Sequence, residues 1–159
     1  MSIDEQDSGA TIDPSGLYRY RLWRSWGEGP SVLWILLNPS TADHQTNDPT
    51  IRRCIEFSIR WGYHGIEVVN LFAWRATSPS AMKSALDPVG PLNDRYIVDV
   101  ANQCDLVVAG WGVHGAHKDR DKQVIRLFEG FEIKCLGKTR DGHPRHPLYL
   151  PYSAVLSPL

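Results

Sequence analysis

No apolar stretch of this 159-residue chain approaches the ~20 residues that a helix needs to cross a membrane. The first residues, MSIDEQDSGA, are acidic and polar, which is not the pattern of a secretory signal. A cytoplasmic protein with no membrane partner is therefore expected. Cysteine is scarce: Cys54, Cys104 and Cys135 lie far apart in apolar surroundings, without CxxC spacing. That argues against a disulfide framework or an iron–sulfur cluster. No sign of charge is in excess either, since the net charge is -1. A nucleic-acid partner would have to be met by a local basic patch rather than by bulk charge. Internal repeats and low-complexity segments are lacking too. The 42% hydrophobic and 22% charged residues describe an ordinary soluble domain, long enough to bury a proper core.

The stretch around which the rest is organised is residues 31–37, SVLWILL, an apolar run with the length and composition of a buried strand. It stops at Asn38-Pro39-Ser40, because proline has no N–H to give a ladder. Thr41, Asp43, His44, Gln45, Thr46, Asn47 and Asp48 then make a polar loop. Open α/β folds place ligands beyond the carboxyl ends of their parallel strands, and this strand end has that form.

Residues 1–16 carry few apolar side chains and are expected as a disordered tail, followed by a single domain over 17–159. Alternation over 17–26 predicts a half-exposed strand, and the turn Gly27-Glu28-Gly29-Pro30 makes it an antiparallel edge partner of the 31–37 strand. Asp48-Pro49 reads as a helix cap and first turn, with Ile51, Cys54, Ile55 and Ile59 on one face. A second strand is expected over 65–75, then an irregular excursion over 76–92 punctuated by Pro79, Pro88 and Pro91. Helix from Asn93-Asp94, strand over 105–112, helix over 119–128 and strand over 131–136 follow. Strands alternating with helices at this spacing predict a three-layer α/β/α sandwich. Its central sheet has four mainly parallel strands, with the antiparallel N-terminal strand at its edge.

That topology brings four strand ends to one side: Asn38 after the first, Asn70 and Arg75 around the second, Trp111 and Gly112 after the third, and a loop rich in His, Arg and Pro after the fourth. Each signal has a bland reading. Asn-Pro-Ser is a common turn, Asp48 is first a helix cap, and Trp111 between glycines serves as a core wedge. The last loop is the hardest to explain as structure. Arg140, His143, Arg145 and His146 fall within seven residues, a density that suits an anion or a reacting group. A metal reading of His114, His117, His143 and His146 is set aside, since loop spacing does not prearrange ligands as one helix face does.

Taken together, Leu37-Asn38-Pro39-Ser40, the strand with Asn70 and trailing Arg75, Val107-Val108-Ala109-Gly110-Trp111-Gly112 and Arg145-His146-Pro147-Leu148 resemble the uracil-DNA glycosylase superfamily. The stretch Asn38-Pro39-Ser40-Thr41-Ala42-Asp43 also resembles the signature of a bacterial family of unknown function, a likeness that covers about residues 17–151. The glycosylase resemblance implies a uracil-DNA-glycosylase-like fold and an enzyme that hydrolyses the N-glycosidic bond of a flipped base in DNA. By it, Asn38 would position the water, with Asp43 or Asp48 assisting, and His146 would stabilise the departing base. Pro39, Ser40, His44, Asn70, Trp74, Arg75, Trp111, Gly112, Lys138, Arg140, His143 and Arg145 would hold base or DNA. No metal or organic cofactor is implied. His146 is followed by Pro147-Leu148 rather than Pro-Ser, which points away from uracil and toward another damaged base or a hypermodified phage cytosine. The alternatives are a free nucleotide or nucleoside as ligand, or a non-catalytic module that binds modified DNA.

Overall fold

The structure, a computed structural model, describes residues 7–159. Its centre is a mixed seven-stranded sheet in the order β1-β2-β4-β3-β5-β6-β7. The strands are β1 (Asp7–Ile12), β2 (Arg19–Ser25), β3 (Ser31–Leu36), β4 (Gly65–Asn70), β5 (Leu106–Ala109), β6 (Ile133–Cys135) and β7 (Ser157–Pro158). The helices are α1 (Pro49–Arg60), α2 (Pro79–Lys83), α3 (Asn93–Ala101) and α4 (Arg120–Leu127), with 3-10 segments at Val113–Asp119 and Pro147–Tyr149. Among the described residues no helix is long and apolar enough to cross a membrane.

β4, β3, β5 and β6 run parallel, and they are the four strands expected from the apolar runs. β3 lies inside this group, between β4 and β5, so residues 32–37 are buried on both faces. A strand covered on both faces reads as a continuous apolar run rather than an alternating one. Val32, Trp34 and Leu36 pack with Ile51, Cys54, Ile55 and Phe57 of α1. Leu33, Ile35 and Leu37 pack with Ile97 and Val100 of α3 and with Val124 of α4. Alternate residues of β3 thus pack with α1 and with α3 and α4.

Two expectations about the first strands need correcting. β2 pairs antiparallel with β4 and not with the 31–37 strand, because β4 occupies that flank of β3. Of the expected tail, residues 1–6 lie outside the described residues, while Asp7–Ile12 form β1, paired antiparallel with β2. The low apolar content of β1 hid it; Gly9 lets it approach so closely that a Cβ there would meet the Trp23 ring at 2.1 Å. The 65–75 strand also ends sooner than expected, at Asn70. The buried Asn93 amide donates to the carbonyls of Asn70 (2.9 Å) and Leu71 (3.1 Å), taking the place of a continuing ladder. Asn93 is therefore the first residue of α3 and also the clamp that turns the chain out of β4.

Candidate active site

β3 continues through α1 to β4 on one side, and β5 continues through α4 to β6 on the other. The chain therefore leaves the neighbouring carboxyl ends of β3 and β5 in opposite directions. Such a switch point opens a crevice in a doubly wound sheet. A pocket of about 590 Å³ lies there, lined by Leu37, Asn38, Ser40, Thr41 and Asp48 from the β3 side. Trp111, Gly112 and His114 line it from the β5 side, and Thr139, Arg145, His146 and Tyr149 from the last loop.

Three polar side chains in this wall are fixed by local structure. Asn38 sits half-buried beyond the last residue of β3, and its Nδ2 donates to the carbonyls of Pro39 (3.1 Å) and Ala76 (3.0 Å). Both amide hydrogens are thereby used, and Oδ1 is left as an acceptor with no protein partner among the described residues. His146 accepts from the Leu148 backbone N–H at Nδ1 (3.2 Å), which puts the proton of the neutral ring on Nε2. Burial pushes the His146 pKa down and the Asp48 carboxylate pushes it up, with burial the larger effect. Asp48 is the N-cap of α1, its Oδ1 accepting from the Ile51 N–H at 2.9 Å with Pro49 at the first helical position. Among the described residues it is the one carboxylate in the pocket wall. The site thus combines a fixed acceptor, a fixed N–H donor and a carboxylate, which suits a reaction in which one atom gains a proton or negative charge while water is held nearby.

The loops that carry these groups are pinned from beneath. Arg24, fully buried, donates to the carbonyls of Asp43 (2.5 Å) and Thr46 (3.3 Å) and holds the 42–47 loop down. Arg19, also buried, donates to the Ala42 carbonyl (3.0 Å) and to Asn70 Oδ1 (3.4 Å). Burial pulls its pKa down to about 10, and the Asp48 carboxylate works against that shift. From α1, Arg53 donates to the carbonyls of Pro147 and Leu150 and lies over the Tyr152 ring, so the helix capped by Asp48 also grips the turn after His146. The glycines flanking Trp111 serve close approach: a Cβ on Gly110 would meet Pro147 Cδ at 3.0 Å, and Gly112 adopts a positive φ of 72°.

Of the residues expected at the site, Asn38, Ser40, Asp48, Trp111, Gly112, Arg145 and His146 come together in this pocket. Others do not. Asp43 turns back on its own loop, accepting from the Gln45 and Thr46 N–H groups, which lower its pKa. His44 is exposed beside it and outside the wall. Pro39 is buried and contributes its carbonyl to Asn38. Asn70 is buried beneath the site, where its side chain accepts from Arg19. Trp74 packs edge-on against Tyr18, and Arg75 reaches the Gly16 carbonyl at 3.3 Å, because residues 71–75 run beside the start of β2 instead of extending β4. Lys138 and His143 line a second cavity of about 810 Å³, formed with α4 and β6 on the other side of Trp111. Arg140 is exposed and lines neither cavity. Among the described residues no group of three or more His, Cys, Asp or Glu is placed to hold a metal ion.

Sequence reasoning did not assign Thr41, Thr50, Thr77, Thr139 or Tyr149 to the wall, nor Arg53 to its support. Thr41 stands in the same polar run as Ser40, and Tyr149 follows His146 by three residues; those adjacencies were the available signals. Nothing local in the sequence marks Arg53 or Thr77.

A family model described as a protein of unknown function (DUF1643) matches residues 19–148. No curated protein and no solved structure matches the chain.

Proposed function

Because the chain belongs to the DUF1643 family, whose description names no reaction, we propose its activity from the site: it is a DNA glycosylase that hydrolyses the N-glycosidic bond of a flipped, damaged or modified base. The reading is supported above all by three groups in one pocket: Asn38 with its amide hydrogens committed, His146 with its proton on Nε2, and Asp48 as carboxylate. The resemblance to the uracil-DNA glycosylase superfamily, with its α/β/α sandwich, belongs to the same proposal. A base within a duplex cannot be reached at its anomeric carbon, so the nucleotide is turned out of the stack into the pocket. As the bond to the base breaks, positive charge grows on the sugar and negative charge on the base. The Nε2–H of His146 donates to the base as it leaves. Asn38 Oδ1 accepts from a water at the opposite side of the sugar, and Asp48 takes its proton and stabilises the sugar cation. Arg145 on the rim meets backbone phosphate. The ring of Tyr149, 79% exposed at the mouth, offers a face for a neighbouring base.

The test is a panel of DNAs carrying uracil, hypoxanthine, oxidised bases, or hydroxymethylated and glucosylated cytosines of phage genomes, scored for abasic sites by alkali or amine cleavage. Abasic sites on one member, lost in Asn38→Ala, are the expected result. Silence across the panel, or full activity in Asn38→Ala, would overturn it. The net charge of -1 favours a second reading, a free nucleotide or nucleoside as substrate. Under that reading, binding would lack the steep salt dependence of a DNA complex.

A further inference from the structure

The hydrolysis described above makes no use of Lys83, whose Nζ lies 3.0 Å from Nδ1 of His114. This contact joins the two long excursions that cross the strand ends. Lys83 is the last residue of α2, which is capped by Ser78 and anchored by the buried Met82. His114 belongs to the 3-10 segment that follows β5, and it lines the pocket.

An ammonium group has no lone pair, so Lys83 is the donor and His114 Nδ1 the acceptor. His114 is thereby held as the neutral tautomer with its proton on Nε2, and two of the three Lys83 N–H groups remain to donate elsewhere. The surroundings are cationic. Burial and the Lys83 charge both lower the His114 pKa, and Lys83 with Lys118 acts in the same direction on neighbouring His117. Lys122 pairs with Asp119 (3.6 Å) and Lys134 with Glu132 (2.7 Å), whereas Lys83, like Lys118 and Lys138, makes no ion pair among the described residues; of these three, Lys83 is the one braced on a pocket-lining histidine. A lysine braced on a histidine keeps its charge and its donors for a ligand, and oxygen anions are what such a donor set binds.

We propose that Lys83 and His114 form an anion subsite on the rim of the pocket that takes a phosphate group of the substrate. The subsite rests on the proposed function only for the identity of its ligand. The same chemistry is offered by a phosphodiester beside a flipped nucleotide and by the phosphate of a free nucleotide.

The experiment follows the histidine ring nitrogens of the full chain by NMR during titration with inorganic phosphate, a nucleoside 5′-monophosphate, and a short oligonucleotide. It is repeated in Lys83→Met, with unchanged His146 signals in the absence of probe as the check on folding. The expected result is a saturable shift of the His114 signals with the nucleotide or the oligonucleotide, abolished in Lys83→Met. If the oligonucleotide is the tighter ligand, the salt slope of its binding should also fall by about one in the variant. A tighter monophosphate identifies the free nucleotide as the source. No His114 response to any probe, an equal response in Lys83→Met, or a response to inorganic phosphate alone would overturn the subsite. The readout does not depend on bond cleavage. A His114 response together with silence across the panel of modified DNAs would refute the glycosylase and leave the subsite standing.

Discussion

Gly115→Ala tests whether the wall of the pocket is held by packing. A Cβ at position 115 would lie 2.3 Å from Trp111 Cδ1, 2.9 Å from Trp111 Nε1 and 2.9 Å from Leu71 Cδ1. The indole is the obstacle, and Trp111 is only 2% exposed, so the methyl group cannot be accommodated by a swing into solvent. Either the 3-10 segment lifts, or the ring moves into one of the two cavities it separates. Overpacking of this kind costs about 1–3 kcal/mol. For a chain of this size that lowers the melting temperature by roughly 2–12 °C. Calorimetry or urea unfolding measures the loss. The cause is isolated by a double-mutant cycle with Trp111→Ala, in which the ring is gone and Gly115→Ala should cost little. A coupling of about 0.5–3 kcal/mol is expected. Additive effects, or an unchanged midpoint for Gly115→Ala alone, would refute the claim that the ring is pinned against this backbone.

Two further predictions concern charge. His146 should titrate below the ordinary histidine value of 6.5, because burial outweighs the Asp48 carboxylate. The unfolded chain then takes up this proton first as the pH falls, so the contribution of His146 to stability is complete above 6.5 and is lost on descending from 6.5 through the folded value. Ring NMR signals against pH measure it, and a midpoint at or above 6.5 would contradict the burial argument. Asp48 combines a cap with a charge, and two variants separate these. Asp48→Asn keeps an oxygen for the Ile51 N–H, whereas Asp48→Ala loses it and should be less stable than Asp48→Asn by about 0.5–2 kcal/mol. Both remove the carboxylate, so both should lower the His146 midpoint further and both should abolish base release; retained activity in Asp48→Asn would exclude Asp48 as the base.

By itself the sequence determined the elements whose signal is local. The four parallel strands follow from apolar runs, and the start of α1 follows from Asp48-Pro49, since a cap is chosen by the residues that make it. That the Asn-Pro end of β3 and the His146 loop line one pocket was legible, because the carboxyl ends of parallel strands share one edge of a sheet. The rest was decided by tertiary structure. Whether Asp43 or Asp48 enters the pocket depends on Arg24, which draws the 42–47 loop down from another strand. That Asn70 and Arg75 leave the site depends on Asn93 and on the start of β2, more than fifteen residues away in either direction. β1 was invisible because its partner β2, and not its own apolar content, makes it a strand. The contact between Lys83 and His114 joins residues 31 positions apart on two irregular excursions. No periodicity records such a meeting, because a long-range contact is fixed by where the sheet delivers its loops and not by the residues beside it in the chain.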